Sequence, residues 1–276
     1  GRGVLHRDRR RSRRHPSGRW TAHRLGQVRP DHPRPSSPLP DARPELTTLL
    51  SVVIPTLDEA ARLPRLLRDL QVLTVPHEII VADGGSSDAT PAAAAAGGAC
   101  VVSAPRGRGR QLAAGAAAAK GAWLLFLHAD ARLTPAALRA AEETLDRPET
   151  AAAAWPLAID GTGAWLRWIE RAAALRWRLT GLAYGDQGLL VRRALYDAVG
   201  GYPESSIMED VTLIRRIARR ARVRRLPVPI LADARRWQRE GRVRATLRNL
   251  TLLTLFLAGI APDRLARWYR PEPRLQ

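Results

Sequence analysis

The sequence predicts an α/β domain with a mainly parallel central sheet flanked by helices. Three observations predict it. Short apolar runs of strand length recur at residues 50–55, 78–83, 99–102 and 123–127, too short and too evenly apolar for amphipathic helices. Segments of helical character separate them, the alternation that builds parallel sheets with helices on both faces. Most of these runs also end in a polar cluster, and open parallel sheets bind ligands beyond the carboxyl ends of their strands.

The elements follow in order. Residues 50–55 form the first strand, and Pro55 is expected to stop ladder pairing. Residues 59–71 form an amphipathic helix with Leu63, Leu66, Leu67 and Leu70 on one face. The second strand ends at Asp83. Gly84 and Gly85 then permit a sharp turn, and Ser87 or Asp88 suits the cap of a helix over 89–97. A third strand spans 99–102, a helix 110–120, and a fourth strand ends at His128. Thr134 caps a helix that begins at Pro135 and runs to about Asp146. After residue 150 the alternation breaks. Residues 151–159 read as a strand, 165–179 as a helix carrying Trp165, Trp168 and Trp177, and 189–191 as a short strand. A helix over 209–221, an extended segment over 223–231 marked as an edge by Pro227 and Pro229, and a closing helix over 241–260 complete the domain.

Composition narrows the function classes. The chain has 276 residues, 45% of them apolar, enough for one substantial domain. One cysteine, Cys100, excludes an internal disulfide framework and a cysteine zinc cluster and fits a reducing, cytoplasmic setting. The net charge is +19, but residues 1–44 alone hold twelve Arg against three Asp. That Pro-rich segment lacks apolar periodicity and reads as a disordered leader over residues 1–46. Trp20 is its one aromatic residue, too little for a stacking nucleic-acid arm. Lys120 is the single lysine of the chain, a bias that points to genomic base composition. The basic start lacks a following apolar core, so no secretory signal is read. The apolar stretch 250–260 is about half of what a membrane-spanning helix needs. It reads as a core helix, with Arg244, Arg248, Arg264 and Arg267 leaving an interfacial position open.

The chemistry gathers at strand ends. Asp83 closes an apolar strand beside two glycines, with no evident structural task, and is read as a ligand-binding carboxylate. Asp88 is explained by capping. Asp58 or Glu59 projects over the sheet edge after the first strand. In His128-Ala129-Asp130 an imidazole and a carboxylate lie two residues apart at a strand end, and a carboxylate there can hold a divalent cation that neutralises a diphosphate. Met208-Glu209-Asp210 opens a helix, where a carboxylate is favoured by the dipole alone. Tyr184-Gly185-Asp186-Gln187-Gly188 is either a ligand-bonding loop or a hairpin-like turn. Arg106-Gly107-Arg108-Gly109-Arg110 is either a phosphate clamp or a solvated charge run.

Together, Pro55-Thr56-Leu57-Asp58-Glu59, Asp83-Gly84-Gly85-Ser86-Ser87-Asp88, His128-Ala129-Asp130, Gly185-Asp186-Gln187-Gly188 and Glu209-Asp210-Val211 resemble, in order and spacing, the family-2 inverting glycosyltransferases of GT-A fold. The resemblance covers about residues 49–260. The form of the glycine-rich turn, His128-Ala129-Asp130, Arg235-Arg236-Trp237 and Leu247-Arg248-Asn249 are most similar to the arsenosugar-biosynthesis-type branch. It implies a GT-A domain over 47–262, with a donor half at about 47–132 and an acceptor half at about 133–262, followed by a tail over 263–276. It implies hexosyl transfer from a nucleotide-diphosphate sugar to an acceptor hydroxyl with Mn²⁺ or Mg²⁺. Asp210 would be the general base. Pro55, Glu59, Asp83, Gly84, Arg110, His128 and Asp130 would bind the donor, with Asp130 and His128 at the metal. Gly185, Asp186, Gln187 and Glu209 would meet the acceptor, and Arg236 and Trp237 would close over the diphosphate. Two departures stand out: Ala113 occupies a position where related sequences commonly have Asn, and the glutamine of processive members is absent upstream of Arg236. The apolar closing helix and the tryptophans of 165–177 suggest a lipid-like or carotenoid acceptor and peripheral contact with the inner face of the plasma membrane. A specific nucleic-acid partner is not expected. The competing classes are a nucleotidyltransferase, a non-catalytic nucleotide-sugar-binding protein and a basic nucleic-acid-binding protein. The first would carry a glycine-rich loop with a phosphate-binding lysine after the first strand, which Pro55-Thr56-Leu57-Asp58-Glu59 is not.

Overall fold

A computed structural model of the chain describes residues 49–205, 207–233 and 242–268. The predicted alternation is present. Strands β1 (Leu50–Thr56), β2 (His77–Asp83), β3 (Cys100–Ser103) and β4 (Trp123–Phe126) alternate with helices α1 (Leu63–Leu70), α2 (Thr90–Ala96) and α3 (Arg108–Ala118). Helix α4 (Pro135–Leu145) follows, its first turn capped by Thr134, whose hydroxyl accepts from Ala137 N–H at 3.2 Å. Then come β5 (Ala152–Ala154), β6 (Leu157–Asp160), α5 (Ala164–Thr180), β7 (Leu189–Arg192), α6 (Arg193–Ala198), α7 (Glu209–Ala218), β8 (Val223–Arg225), β9 (Ile230–Asp233), α8 (Arg242–Leu257) and α9 (Pro262–Ala266).

Seven strands make one sheet in the order β3-β2-β1-β4-β7-β5-β8. The first four are mutually parallel, and β7 runs antiparallel to both β4 and β5. Residues alternate between the faces as strands require. Val52, Ile54, Leu125 and Leu127 pack with Leu63, Leu66 and Leu70 of α1 and Leu138 of α4. Val53, Leu124 and Phe126 pack on the other face with Leu112 of α3 and Leu213 and Ile217 of α7. Both faces are thus covered, and the strands read as continuous apolar runs.

The chain winds outward from β1 through β2 to β3, then returns to place β4 on the other side of β1. This reversal opens a crevice at the carboxyl ends of β1 and β4. Pairing shapes it further. Pro55 does not stop the strand as expected: β1 stays in register with β2 through Pro55↔Ala82 and Thr56↔Asp83, whereas pairing with β4 stops at Val53↔Phe126. The ladder to β4 is therefore shorter, and after a last bond from Leu127 N–H to Val53 O the chain leaves it at His128.

Other boundaries moved for local reasons. The first helix begins at Leu63, not Glu59, with Pro64 in its first turn, where a missing N–H costs nothing. Residues 58–60 are bonded instead to the segment after β2. The strand expected over 151–159 divides at Trp155-Pro156 into β5 of the main sheet and β6, which pairs with β9 in a second, two-stranded sheet. Pro227 and Pro229 likewise separate β8, at the edge of the main sheet, from β9. Arg236, Trp237 and the leader over 1–46 lie outside the described residues.

Candidate active site

The loops after β1 and β2 are stitched together. Asp83 Oδ2 accepts from the N–H groups of Gly85 (3.0 Å) and Ser86 (2.9 Å), and Oδ1 accepts from the hydroxyls of Thr56 (3.1 Å) and Ser86. Asp58 Oδ1 accepts from Ser87 N–H at 2.8 Å, Asp58 N–H donates to Ser86 Oγ, and Glu59 N–H donates to Thr90 Oγ1 at 2.8 Å. Asp88 accepts from the N–H groups of Thr90 and Ala60, but the N-cap position of α2 is Ala89, one residue beyond the expected cap. Asp83 therefore has the structural task that the sequence did not reveal. Burial acts to raise its carboxyl, but the hydrogen bonds from Ser86, Thr56 and Gly85 outweigh that and hold it below the usual aspartate range. Beneath this loop the buried Gln111 donates to Thr56 O and Ala82 O, tying the ends of β1 and β2. Glu59, expected at the nucleotide, pairs with Arg62 at 2.5 Å.

A small pocket lies at the β1–β4 crevice. Pro55, Phe126 and His128 line one side, Arg108 and Leu112 of α3 another, and Gly185, Tyr202 and Asp210 the third. The structure thus brings together four residues singled out by sequence: Pro55, His128, Gly185 and Asp210. Asp130 is exposed one turn on, with Ala131 N–H bonded to His128 O at 3.0 Å. It makes no hydrogen bond or ion pair among the described residues.

Asp210 is fixed from several sides. Its Oδ2 accepts from Gly185 N–H and its Oδ1 from Val211 N–H, both at 2.8 Å. Arg108 Nη2 stands 3.8 Å from Oδ2 while Arg108 Nε bonds Glu209. Burial works to raise the Asp210 carboxyl. The Arg108 charge, the two backbone N–H groups and His128 prevail, holding it below the usual range. Asp210 is therefore ionised at neutral pH. Met208, just before α7, has φ 60°, a left-handed conformation that costs a residue of its type on the order of 1 kcal/mol and is often found at functional sites.

The sequence reading missed Arg108 and Tyr202. Of the basic loop it chose Arg110, which is exposed, whereas Arg108 carries the charge in the pocket and remains protonated. The available signal was Gly109: a Cβ there would lie 2.5 Å from Pro203 O and 3.1 Å from Glu209 Cβ. Its absence lets α3 approach the start of α7. Tyr202 packs edge-on against Phe126, with ring centroids 4.9 Å apart. Burial, with Asp210 and Glu209 nearby, pushes its phenol well above the ordinary value, so it stays protonated.

Two residues expected at the acceptor have internal partners. Gln187 is buried in a 3-10 turn, Gly185–Gln187. Its amide donates to Trp155 O and accepts from Tyr184 N–H and Arg176, each at 3.0 Å. Glu209 is buried against Arg108. Both support the site from behind. Asp186 is exposed on the same turn.

Residues 51–216 match the family described as Glycosyl transferase family 2. No curated protein matches the sequence. Solved structures share the fold. S. aureus TarS 1-349 superposes with a TM-score of 0.55 at 18% identity, covering 78% of this chain and 68% of that one. The mannosyltransferase PcManGT from Pyrobaculum calidifontis, in complex with GDP-Man and Mn²⁺, gives 0.52 at 19% identity, covering 72% of this chain and 60% of that one. Glucosyl-3-phosphoglycerate synthase from Mycobacterium tuberculosis, in complex with phosphoglyceric acid, gives 0.50 at 22% identity, covering 67% and 70%.

Proposed function

Because the chain belongs to glycosyl transferase family 2, we propose that it moves one hexose from a nucleotide-diphosphate donor to an acceptor hydroxyl with inversion, using Asp210 as general base. The observation that carries this is the placement of Asp210. It is an ionised carboxylate lining a pocket at the β1–β4 crevice, aimed by two backbone N–H groups and one arginine. Inversion in a single displacement needs a base on the face of the sugar opposite the leaving diphosphate. As the acceptor oxygen bonds to the anomeric carbon, its proton passes to Asp210 and the carbon–oxygen bond to the diphosphate breaks. No enzyme nucleophile is required.

Asp130 and His128 would hold a Mn²⁺ or Mg²⁺. The described residues contain no group of three or more metal-ligating side chains. That suits a cation bound by one or two protein groups and completed by substrate phosphate oxygens, and the unengaged Asp130 carboxylate fits the part. When bound, the cation would neutralise charge on the departing diphosphate. In this reading Pro55, Glu59, Asp83, Gly84 and Arg110 belong to the donor side, over residues 47–132. Gly185 and Asp186 belong to the acceptor side, over 133–262, with Gln187 and Glu209 behind them. Arg236 and Trp237 would close over the diphosphate. The glycine-rich turn and His128-Ala129-Asp130 support a place near the arsenosugar-biosynthesis-type branch. Among the described residues no helix is long and apolar enough to cross a membrane. We take the acceptor to be a lipid-like alcohol met at a membrane surface.

A panel of nucleotide sugars scored by thermal shift with and without Mn²⁺ tests the donor assignment, and a stabilised donor complex is expected. Asp210→Asn is expected to bind donor as the parent does and to lose about 10²–10⁴-fold in kcat. Transfer at the parent rate by that variant would overturn the assignment of the base.

A further inference from the structure

Helix α5 buries Leu166, Ala173 and Trp177 on its inner face. A helix covered on one side normally turns polar residues outward. This one carries Trp168, Ala172, Leu175 and Leu179 there, at spacings of four, three and four, which makes a single outer stripe. Trp168 is 52% exposed, Leu175 54% and Leu179 76%. Trp168 stacks on Trp165 with ring centroids 5.1 Å apart, so the indole is held in place. Arg171 and Arg178 are exposed beside the stripe, and neither makes an ion pair among the described residues. Arg167, also exposed, pairs with Glu170 at 3.0 Å.

We propose that the outer face of α5 docks on an anionic lipid bilayer. An apolar stripe bordered by unneutralised arginines and carrying a tryptophan is the composition of a helix lying at a charged headgroup layer. A second copy of the chain suits this face poorly. A two-fold contact along α5 would bring the arginines of one copy towards those of the other.

The docking bears on the acceptor, and this part rests on the glycosyltransferase reading above. The Arg176 guanidinium of α5 lies 3.7 Å from the ring centroid of Tyr184 and bonds Gln187. The helix is thereby fastened to the turn whose Gly185 N–H holds Asp210. Docking α5 sets that turn beside the lipid surface, where an amphiphilic alcohol presents its hydroxyl at headgroup level.

The test is sedimentation of the full chain with vesicles of phosphatidylcholine alone and of phosphatidylcholine mixed with phosphatidylglycerol, beside Leu175→Ser/Leu179→Ser and Arg171→Gln/Arg178→Gln. The parent is expected to bind only the anionic vesicles. The serine pair is expected to lower the bound fraction about tenfold or more while net charge is unchanged. The arginine pair should weaken binding and flatten its salt dependence. The arginine-rich residues 1–46 attract anionic lipid by charge alone, and the serine substitutions leave that attraction intact. Unchanged binding by the serine pair, or a concentration-dependent dimer in lipid-free solution that the serine pair abolishes, would overturn the proposal. Donor binding by thermal shift is read in parallel. Its presence without vesicle binding overturns the docking alone, and its absence overturns the enzymatic reading whatever the vesicles show.

Discussion

Gly185 and Arg108 set the position and charge of Asp210, the proposed base, although neither needs to touch substrate for that. A Cβ on Gly185 would fall 2.7 Å from Asp210 Oδ2, so Gly185→Ala must displace the carboxylate or the turn. It is expected to cost up to about 10²-fold in kcat while donor binding is kept, since displacements near 1 Å have that effect. Steady-state kinetics alongside donor titration checks it. Arg108→Met removes the leading charge that holds the Asp210 carboxyl down. In the proposed mechanism the acid limb of transfer belongs to protonation of Asp210. In the parent it lies below the ordinary aspartate range, and in the variant it is expected to move up. A pH–rate profile with an unmoved limb would separate Asp210 from catalysis. The place of Asp210 in the pocket was foreshadowed in the sequence because Glu209-Asp210 sits in a recognisable series of motifs. Arg108 was not, because a guanidinium two residues from two others in an arginine-rich loop carries no local mark of which one turns inward.

At the scale of elements, side chains reinforce the ladder at the ends of β1 and β2. Asp83 receives four hydrogen bonds there. Asp83→Ala strands the N–H groups of Gly85 and Ser86 and is expected to cost about 1–3 kcal/mol, measurable as a lower urea midpoint at neutral pH. The sign with pH follows from the depressed folded value. The contribution of Asp83 is fully present above the unfolded aspartate value of about 3.9 and disappears as pH falls through the lower folded one. The stability gap between parent and variant should therefore narrow in acid. Strand and helix types in the first half were readable from apolar runs and spacing. What was unreadable was partnership. The sequence shows Asp83 beside two glycines, but not that Gly85 and Ser86 turn their N–H groups back on it. Nor does it show that residues 58–60 forgo the helix to bond with the loop across from them. Such bonds lie 28 to 31 residues apart and leave no periodicity.

At the scale of the whole molecule, the family match begins at residue 51, after the arginine-rich leader. Removing residues 1–46 is expected to leave donor binding and transfer unchanged while lowering nonspecific retention on polyanions. Chromatography on heparin at graded salt, with an activity assay, checks both. The overall architecture was legible as far as the parallel half reached, because each buried strand there announces itself as an apolar run. Past residue 150 the three-residue strands β5 and β8 are too short to announce anything, and their membership of the main sheet is decided by long-range pairing alone.

The order of that sheet has a consequence for engineering. The first and second halves of the domain do not fold as separable modules, because β7, β5 and β8 extend the sheet directly from the open edge of β4. A fragment ending near residue 132 would expose β4 as an unprotected, wholly apolar edge, prone to pairing with other chains. Grafting a new second half must therefore rebuild the β4–β7 seam, Trp123↔Arg192 through Phe126↔Leu189, before any exchange of specificity can be read.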